Sequence, residues 1–292
     1  FCARLLRERP VEAGVPLAFE EMEEEEDNRL REQAWSEYVT GLFNARHEVL
    51  DELAGLGLEV DQLCDAFLSF AEYPDVDDWP APAVELPGLH RPLGELKKYV
   101  AHMESLSPTF PDERGRDQLM SRYERIVRLA SRRNLAIPAE FFEVLELFDR
   151  NHGATQKMWP EGAPQGKREC QRWDDFRDRV GGPLLDTWRC ARYPAVIRVL
   201  KEAAVVYARL RHELGRLNYQ DLLMKAAHLL RDKPQIRRYF RRRFSHLLVD
   251  EFQDTDPVQA QVMMFLTASA PTQQDWQECR PVPGSLFVVG DP

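Results

Sequence analysis

No stretch of this chain approaches the 18 or more consecutive apolar residues that a membrane-spanning helix needs, and its amino end carries no basic-then-apolar leader. A soluble, cytoplasmic protein with no membrane partner is therefore expected. The five cysteines, at 2, 64, 170, 190 and 279, include no Cys-x-x-Cys pair and no His/Cys grouping at zinc spacing. They read as reduced, mostly structural thiols. Also missing is Gly-x-x-x-x-Gly-Lys-Ser/Thr, the glycine-rich turn whose backbone N–H groups cradle phosphates. Positive charge is in deficit too: a formal net charge of -10 argues against a protein that binds nucleic acid over its whole surface.

What is present is ample apolar material, 43% of 292 residues, enough for one large or two medium domains. Charge is distributed unevenly. Seven of the eight residues from Glu20 to Asp27 are acidic, whereas arginines crowd Arg237 to Arg243. Such a mosaic fits an enzyme that grips DNA with one face. The acidic run precedes an amphipathic pattern (Leu30, Ala34, Trp35, Tyr38, Val39, Leu42), where carboxylates favour a helix N-terminus. A regulatory acidic tail is the other reading.

Helical spacing continues through Leu50, Leu53, Leu63, Phe67 and Phe70, then fails across Pro74, Pro80, Pro82, Pro87 and Pro92, which predict an irregular surface loop. Helices are expected again over about 93–105, 114–135 and 138–150, with Phe141, Phe142 and Phe148 in the core. Asn151 to Gly182 is expected to be a second irregular segment, in which Lys157, Trp159, Lys167, Arg168, Arg172 and Trp173 interleave basic and aromatic side chains. On an exposed loop these would neutralise phosphates and stack on bases; an ordinary solvated loop is the alternative. A long helix is predicted from about Ala195 to Leu214.

Asn218 and Asp221 then have the spacing of a helix cap. Pro234 opens a helix ending in Arg237, Arg238 and Arg241 to Arg243, which suit either the negative end of the helix dipole or a phosphate. Leu247 to Val249 are consecutive aliphatics, so they predict a strand covered on both faces at the centre of a helix-flanked parallel sheet. Asp250 falls at that strand's carboxyl end, where open α/β sheets bind ligands. It has the chemistry to hold Mg2+ beside substrate phosphates, and Glu251 could accept a proton from an attacking water. Pro257 opens the next helix and Leu286 to Val289 form a second, parallel strand. With Asp254 and Asp256, the same acids could instead serve a metal-dependent nuclease.

The string Val249-Asp250-Glu251-Phe252-Gln253-Asp254-Thr255-Asp256 resembles motif II of the UvrD/Rep-type superfamily 1 DNA helicases. Leu286 to Pro292 resembles the start of motif III, Phe1-Cys2 the end of motif Ib without its threonine and histidine, and Leu217-Asn218-Tyr219-Gln220-Asp221-Leu222-Leu223 the segment before motif II. Their wording is most similar to the RecB/AddA-like branch, the exodeoxyribonuclease V beta subunit among them.

The resemblance implies an α/β fold: part of a RecA-like parallel-sheet P-loop NTPase domain, 1A, at 1–16 and 216–292, interrupted by a mainly helical insertion, 1B, at 17–215. It implies an ATP-dependent DNA helicase working with Mg2+, with Asp250 and Glu251 catalytic, Gln253, Asp254, Gly290 and Asp291 at the nucleotide, and Phe1 and Cys2 at single-stranded DNA. Lys157, Trp159, Lys167 and Arg168 join the DNA contacts. Partners would be single-stranded DNA, duplex junctions and the subunits of a recombinational repair complex. Lacking a P-loop and the motif III glutamine, the chain reads as a fragment cut at both ends; a catalytically inactive DNA- or protein-binding module is the alternative.

Overall fold

The structure, a computed structural model, describes residues 1–76, 78–80, 84–85, 88–112 and 115–291. Pro82, Pro87, Pro292 and the expected helix start at 114 lie outside the described residues. In chain order the elements are α1 (Cys2–Glu8), α2 (Pro10–Ala13), β1 (Glu20–Glu21), α3 (Glu24–Ala45), α4 (Glu48–Gly55), α5 (Cys64–Phe70), α6 (His90–Leu106), α7 (Gln118–Ala130), α8 (Pro138–Leu145) and α9 (Ala163–Phe176). There follow α10 (Gly182–Leu214), β2 (Arg216–Leu217), α11 (Tyr219–Asp232), α12 (Pro234–Arg243), β3 (Leu247–Val249), α13 (Pro257–Thr267) and β4 (Leu286–Val288). The fold is mostly helical with two small parallel sheets, β1 with β2 and β3 with β4. The chain divides into two compact units: Phe1–Tyr38, Cys64–Asp78 and Glu202–Pro292 form one, Val39–Leu63 and Trp79–Lys201 the other.

In the first unit α11 is the central element. Its apolar face, with Ala226 and Leu230 fully buried, packs with Leu5 and Leu6 of α1, Phe240 of α12 and Phe265 of α13. Asn218 caps it as the sequence predicts: its Oδ1 accepts the Asp221 N–H at 2.8 Å, while Asp221 accepts the Asn218 N–H in return. The cap also belongs to a buried polar cluster. Asn218 Nδ2 donates to Asp27 at 3.1 Å, Arg31 reaches Asp27 at 2.6 Å, and the Tyr207 hydroxyl donates to the same carboxylate. Asp27 is thus more than a helix-dipole charge, because three donors hold it where it is 4% exposed. Burial first, with the Asp27 carboxylate adding to it against the opposing charges of Arg211 and Arg31, pushes the Tyr207 hydroxyl up to about 12, so it stays a neutral donor.

The second unit is organised around aromatics. Phe142 stacks on Trp188 at 4.2 Å, Phe148 on Trp173 at 4.9 Å, and Phe110 meets Trp159 edge-on at 5.6 Å. This core corrects the expectation of an irregular segment over 151–182. Pro164 opens α9 within it, five residues in a π-helical turn (Arg177–Gly181) follow, and α10 continues from Gly182. Asp117 draws the segment inward: its Oδ1 caps α7 through the Met120 N–H, and its Oδ2 accepts both the Thr155 N–H and the Trp159 Nε1–H at 2.9 Å. Gly166 completes the approach, since a Cβ there would lie 2.6 Å from Gln156 Cα.

Three further expectations change. Helix α10 runs through Pro194 instead of starting after it; proline removes one helical N–H donor, a loss that the helix's 33 residues tolerate. Pro92 lies in the first turn of α6 and not in a loop, where its missing N–H would have had no helical partner anyway. Strand β3 is not covered on both faces. Leu248 and its register partner Phe287 are 77% and 62% exposed, because the sheet has two strands and nothing among the described residues lies over that side.

Candidate functional site

Strand β3 is aligned by β4, with Leu247 opposite Leu286 and Val249 opposite Val288. The ladder continues past the strand ends: Val289 N–H donates to the Val249 carbonyl at 2.9 Å and Phe252 N–H to the Val289 carbonyl at 3.1 Å. Two parallel carboxyl ends therefore stand side by side, one presenting Asp250 and Glu251, the other Gly290 and Asp291. Asp250 is exposed; its Oδ1 accepts the Glu251 N–H at 3.1 Å, and Oδ2 has no hydrogen-bond partner among the described residues.

Glu251 lies in the left-handed region at φ 52°, a conformation that costs a non-glycine residue and is concentrated at functional sites. It turns the chain out of the strand into a 3-10 turn, Phe252–Asp254. Its carboxylate is held by Gln253 Nε2, and Gln253 Oε1 in turn accepts the Asp291 N–H at 3.0 Å. Gln253 thereby ties the acid after β3 to the backbone after β4. Such a link requires a glycine, since a Cβ on Gly290 would lie 2.5 Å from Gln253 Oε1 and 3.0 Å from Phe252 N.

Gly290→Ala should therefore displace Gln253 and lower the unfolding free energy by about 1 kcal/mol, the low end for overpacking because an amide end can swing aside. Adding Gln253→Ala should restore most of that loss in urea unfolding. If the double variant is no more stable than Gly290→Ala alone, Gln253 is not what Gly290 makes room for.

The structure brings Asp250, Glu251, Gln253, Gly290 and Asp291 together. Asp254 is exposed in the 3-10 turn, and Asp256 is turned away to cap α13, accepting the Gln259 N–H at 2.7 Å. Among the described residues no three His, Cys, Asp or Glu side chains form a group able to hold a metal. The four-carboxylate cluster of the nuclease alternative is thus not assembled, because one acid serves the helix and another the turn. A single carboxylate with a free oxygen does fit a hydrated Mg2+ that keeps several waters.

Phe1 and Cys2 line the same cleft as Asp250, a space of about 510 Å3 bordered by β3, α11 and α13. Burial pushes the Cys2 thiol above its ordinary range, so it is a poor nucleophile. Tyr219, which the spacing of apolar residues did not single out, joins this cleft through a 2.8 Å hydrogen bond from Gln259 Nε2.

In the second unit Lys157, Lys167 and Arg168 are exposed, Arg168 pairing with Glu161 at 2.8 Å. Trp159 and Trp173 are 2% and 0% exposed, so neither ring can receive a base; the hydrogen bonds of their indole N–H groups to Asp117 and to the Arg150 carbonyl fix them inward. Arg237 is likewise structural. It is 1% exposed and donates to the carbonyls of Phe265, Pro271 and Gln273, which excludes it as a phosphate contact.

A family model described as the UvrD/REP helicase N-terminal domain matches residues 1–292. Over 140 residues, 47% of this chain, the sequence is 30% identical to DNA helicase II of Escherichia coli K12. Over 85 residues it is 39% identical to the ATP-dependent DNA helicase UvrD1 of Mycobacterium tuberculosis H37Rv, 29% of this chain. With DNA helicase II of Haemophilus influenzae it shares 31% identity over 77 residues, 26% of this chain. These segments span 16%, 10% and 9% of the relatives' own lengths. No helix among the described residues is long and apolar enough to cross a membrane.

Proposed function

We propose, from the premise that this chain belongs to the UvrD/REP helicase N-terminal domain family, that its β3–β4 carboxyl end is the hydrolytic centre of an ATP-driven DNA translocase. The observation that carries the reading is the arrangement of Asp250 and Glu251: adjacent acids at the end of a parallel strand, the second in a left-handed turn and held by Gln253. Adjacent residues directed apart can do two different things at one phosphate. Asp250, with Oδ2 free, would hold the magnesium that accompanies ATP. Bound magnesium supplies neutralisation of the phosphate oxygens. Glu251 orients the attacking water and takes its proton, with Gln253 fixing the carboxylate and relaying its position to the backbone at Asp291.

In the finer reading, 1–16 and 216–292 are part of a RecA-like domain and the intervening helices are its insertion. Hydrolysis then drives stepping along single-stranded DNA and duplex unwinding in repair or recombination, within a RecB/AddA-like assembly. Phe1 and Cys2, in the same cleft as Asp250, would sense the single strand. Lys157, Lys167 and Arg168 keep exposed charges and serve as backbone contacts without base stacking.

Asp250→Asn tests the metal assignment. In the complete protein, a fluorescent ATP analogue should bind the parent more tightly with magnesium than without it, and Asp250→Asn should lose most of that difference while magnesium-free binding stays the same. An undiminished magnesium effect in the variant would take Asp250 out of the metal site.

A further inference from the structure

The segment that carries the chain from Glu251 into α13 is held near both ends by residues from elsewhere in the fold. On the Glu251 side Gln253 does this, through its link to the backbone at Asp291. On the α13 side stands Tyr219, the residue that follows the Asn218 cap of α11. Its hydroxyl accepts from Gln259 Nε2 at 2.8 Å, and the same amide nitrogen donates to Asp256 Oδ2 at 3.0 Å. Asp256 Oδ1 accepts the Gln259 N–H and so caps α13. Both side-chain protons of Gln259 are thus used, one on α11 and one on the cap. Tyr219 is 59% exposed, so folding gains little apolar burial from its ring, and the hydrogen bond is the contribution that needs a reason.

Tyr219 is itself fixed from behind. Asn218 Nδ2 donates to Asp27, the carboxylate that Arg31 and Tyr207 also hold, so the first turn of α11 cannot shift without breaking a buried polar cluster. All of these residues belong to the first unit. Between Glu251 and Asp256 the turn is short and internally bonded: Asp254 N–H donates to the Glu251 carbonyl and Thr255 N–H to the Phe252 carbonyl, each at 3.0 Å. A displacement of Asp256 is therefore passed back to the backbone at 251. That backbone is left-handed, a conformation that persists in a non-glycine residue only where its surroundings over-determine it. Pinning the far end of the turn supplies part of that restraint.

We propose that Tyr219 is a positioning residue for hydrolysis: through Gln259 and Asp256 it fixes the far end of the turn, and with it the direction of the Glu251 carboxylate. The inference rests on the hydrolytic reading of Glu251 and extends it to a residue on another helix. Without the hydroxyl, a water can accept from Gln259 and preserve the stability of the cap. Water is not attached to α11, however, and cannot hold the amide in register. Loss of the hydroxyl thus separates positioning from the mere satisfaction of a hydrogen bond.

The test measures single-turnover ATP hydrolysis by the complete protein with magnesium and saturating single-stranded DNA, together with ATP affinity and thermal unfolding. Tyr219→Phe keeps the ring and removes only the hydroxyl. It should slow hydrolysis about tenfold, short of the roughly 10²-fold that 1 Å of misplacement can cost, with ATP affinity and the unfolding midpoint unchanged. Gln259→Ala should slow it at least as much, and the double variant should be no slower than Gln259→Ala alone, because both remove one link. Tyr219→Phe at the parent rate, with Glu251→Gln slow, overturns the positioning role and leaves the hydrolytic reading standing. Glu251→Gln at the parent rate overturns that reading and the positioning role with it. Losses that multiply in the double variant, or a slower Tyr219→Phe whose ATP affinity or unfolding midpoint falls in step, make Tyr219 an ordinary binding or structural residue and overturn the proposal.

Discussion

Glu251→Gln, placed in the complete protein that carries this chain, should leave ATP binding nearly intact and lower DNA-stimulated ATP turnover by about 10²- to 10⁴-fold, the usual worth of a positioned general base. The substitution isolates the proton-accepting role. Glutamine has nearly the same volume, Asp250 is untouched, and an amide oxygen at 251 can still accept from Gln253 Nε2, so the turn after β3 is retained. What disappears is the capacity to take a proton. The measurement pairs ATP affinity with steady-state hydrolysis at saturating single-stranded DNA. A variant that hydrolyses at the parent rate would leave Glu251 as a turn residue only, and the left-handed backbone at 251 would need another cause.

The second large effect is on stability. Trp173→Ala should cost about 3–5 kcal/mol, the range for emptying an aromatic from a core. Trp173 is fully buried, stacks on Phe148 at 4.9 Å and on Tyr123 at 6.3 Å, and its Nε1–H donates to the Arg150 carbonyl at 3.0 Å. Removing it opens a cavity between rings and strands that carbonyl. For a unit of this size the midpoint of thermal unfolding should fall on the order of 10 °C. The same variant decides between two roles that basic and aromatic interleaving allows. A ring that stacked on bases would be lost with little change in stability and a clear loss of single-strand affinity; that pattern would contradict the core assignment.

The parts of the site that depend on neighbours in sequence were legible. An aliphatic triplet ending in acids gave β3 and Asp250, Pro257 gave α13, and the Asn218–Asp221 spacing gave the cap. Each follows from backbone geometry within a few residues. The failures share a different cause. Glycines and prolines over 151–182 suggested a loop, but Pro164 opens a helix and Gly166 admits Gln156, facts decided by what lies opposite. Burial of Trp159 depends on Asp117, far away in sequence. Three consecutive aliphatics promised two covered faces, and coverage is a property of other elements. The Gln253 link between β3 and β4 and the hydrogen bond from Gln259 to Tyr219 are likewise tertiary.

The smallest sheet has the longest reach. By pairing Glu20 with Arg216 and Glu21 with Leu217, β1 and β2 bring the chain entering α3 back beside the chain leaving α10. A fixed pair of gateposts leaves 39–63 and 79–201, the segments outside the first unit, free to vary, whereas 24–38 stays tied to that unit through Asp27 and Arg31. Closing a longer or shorter excursion between fixed ends changes the entropy only logarithmically, about 0.6 kcal/mol per doubling of length. Helices can therefore be added to, exchanged in or trimmed from that excursion over evolution while the carboxyl end of β3 keeps its place.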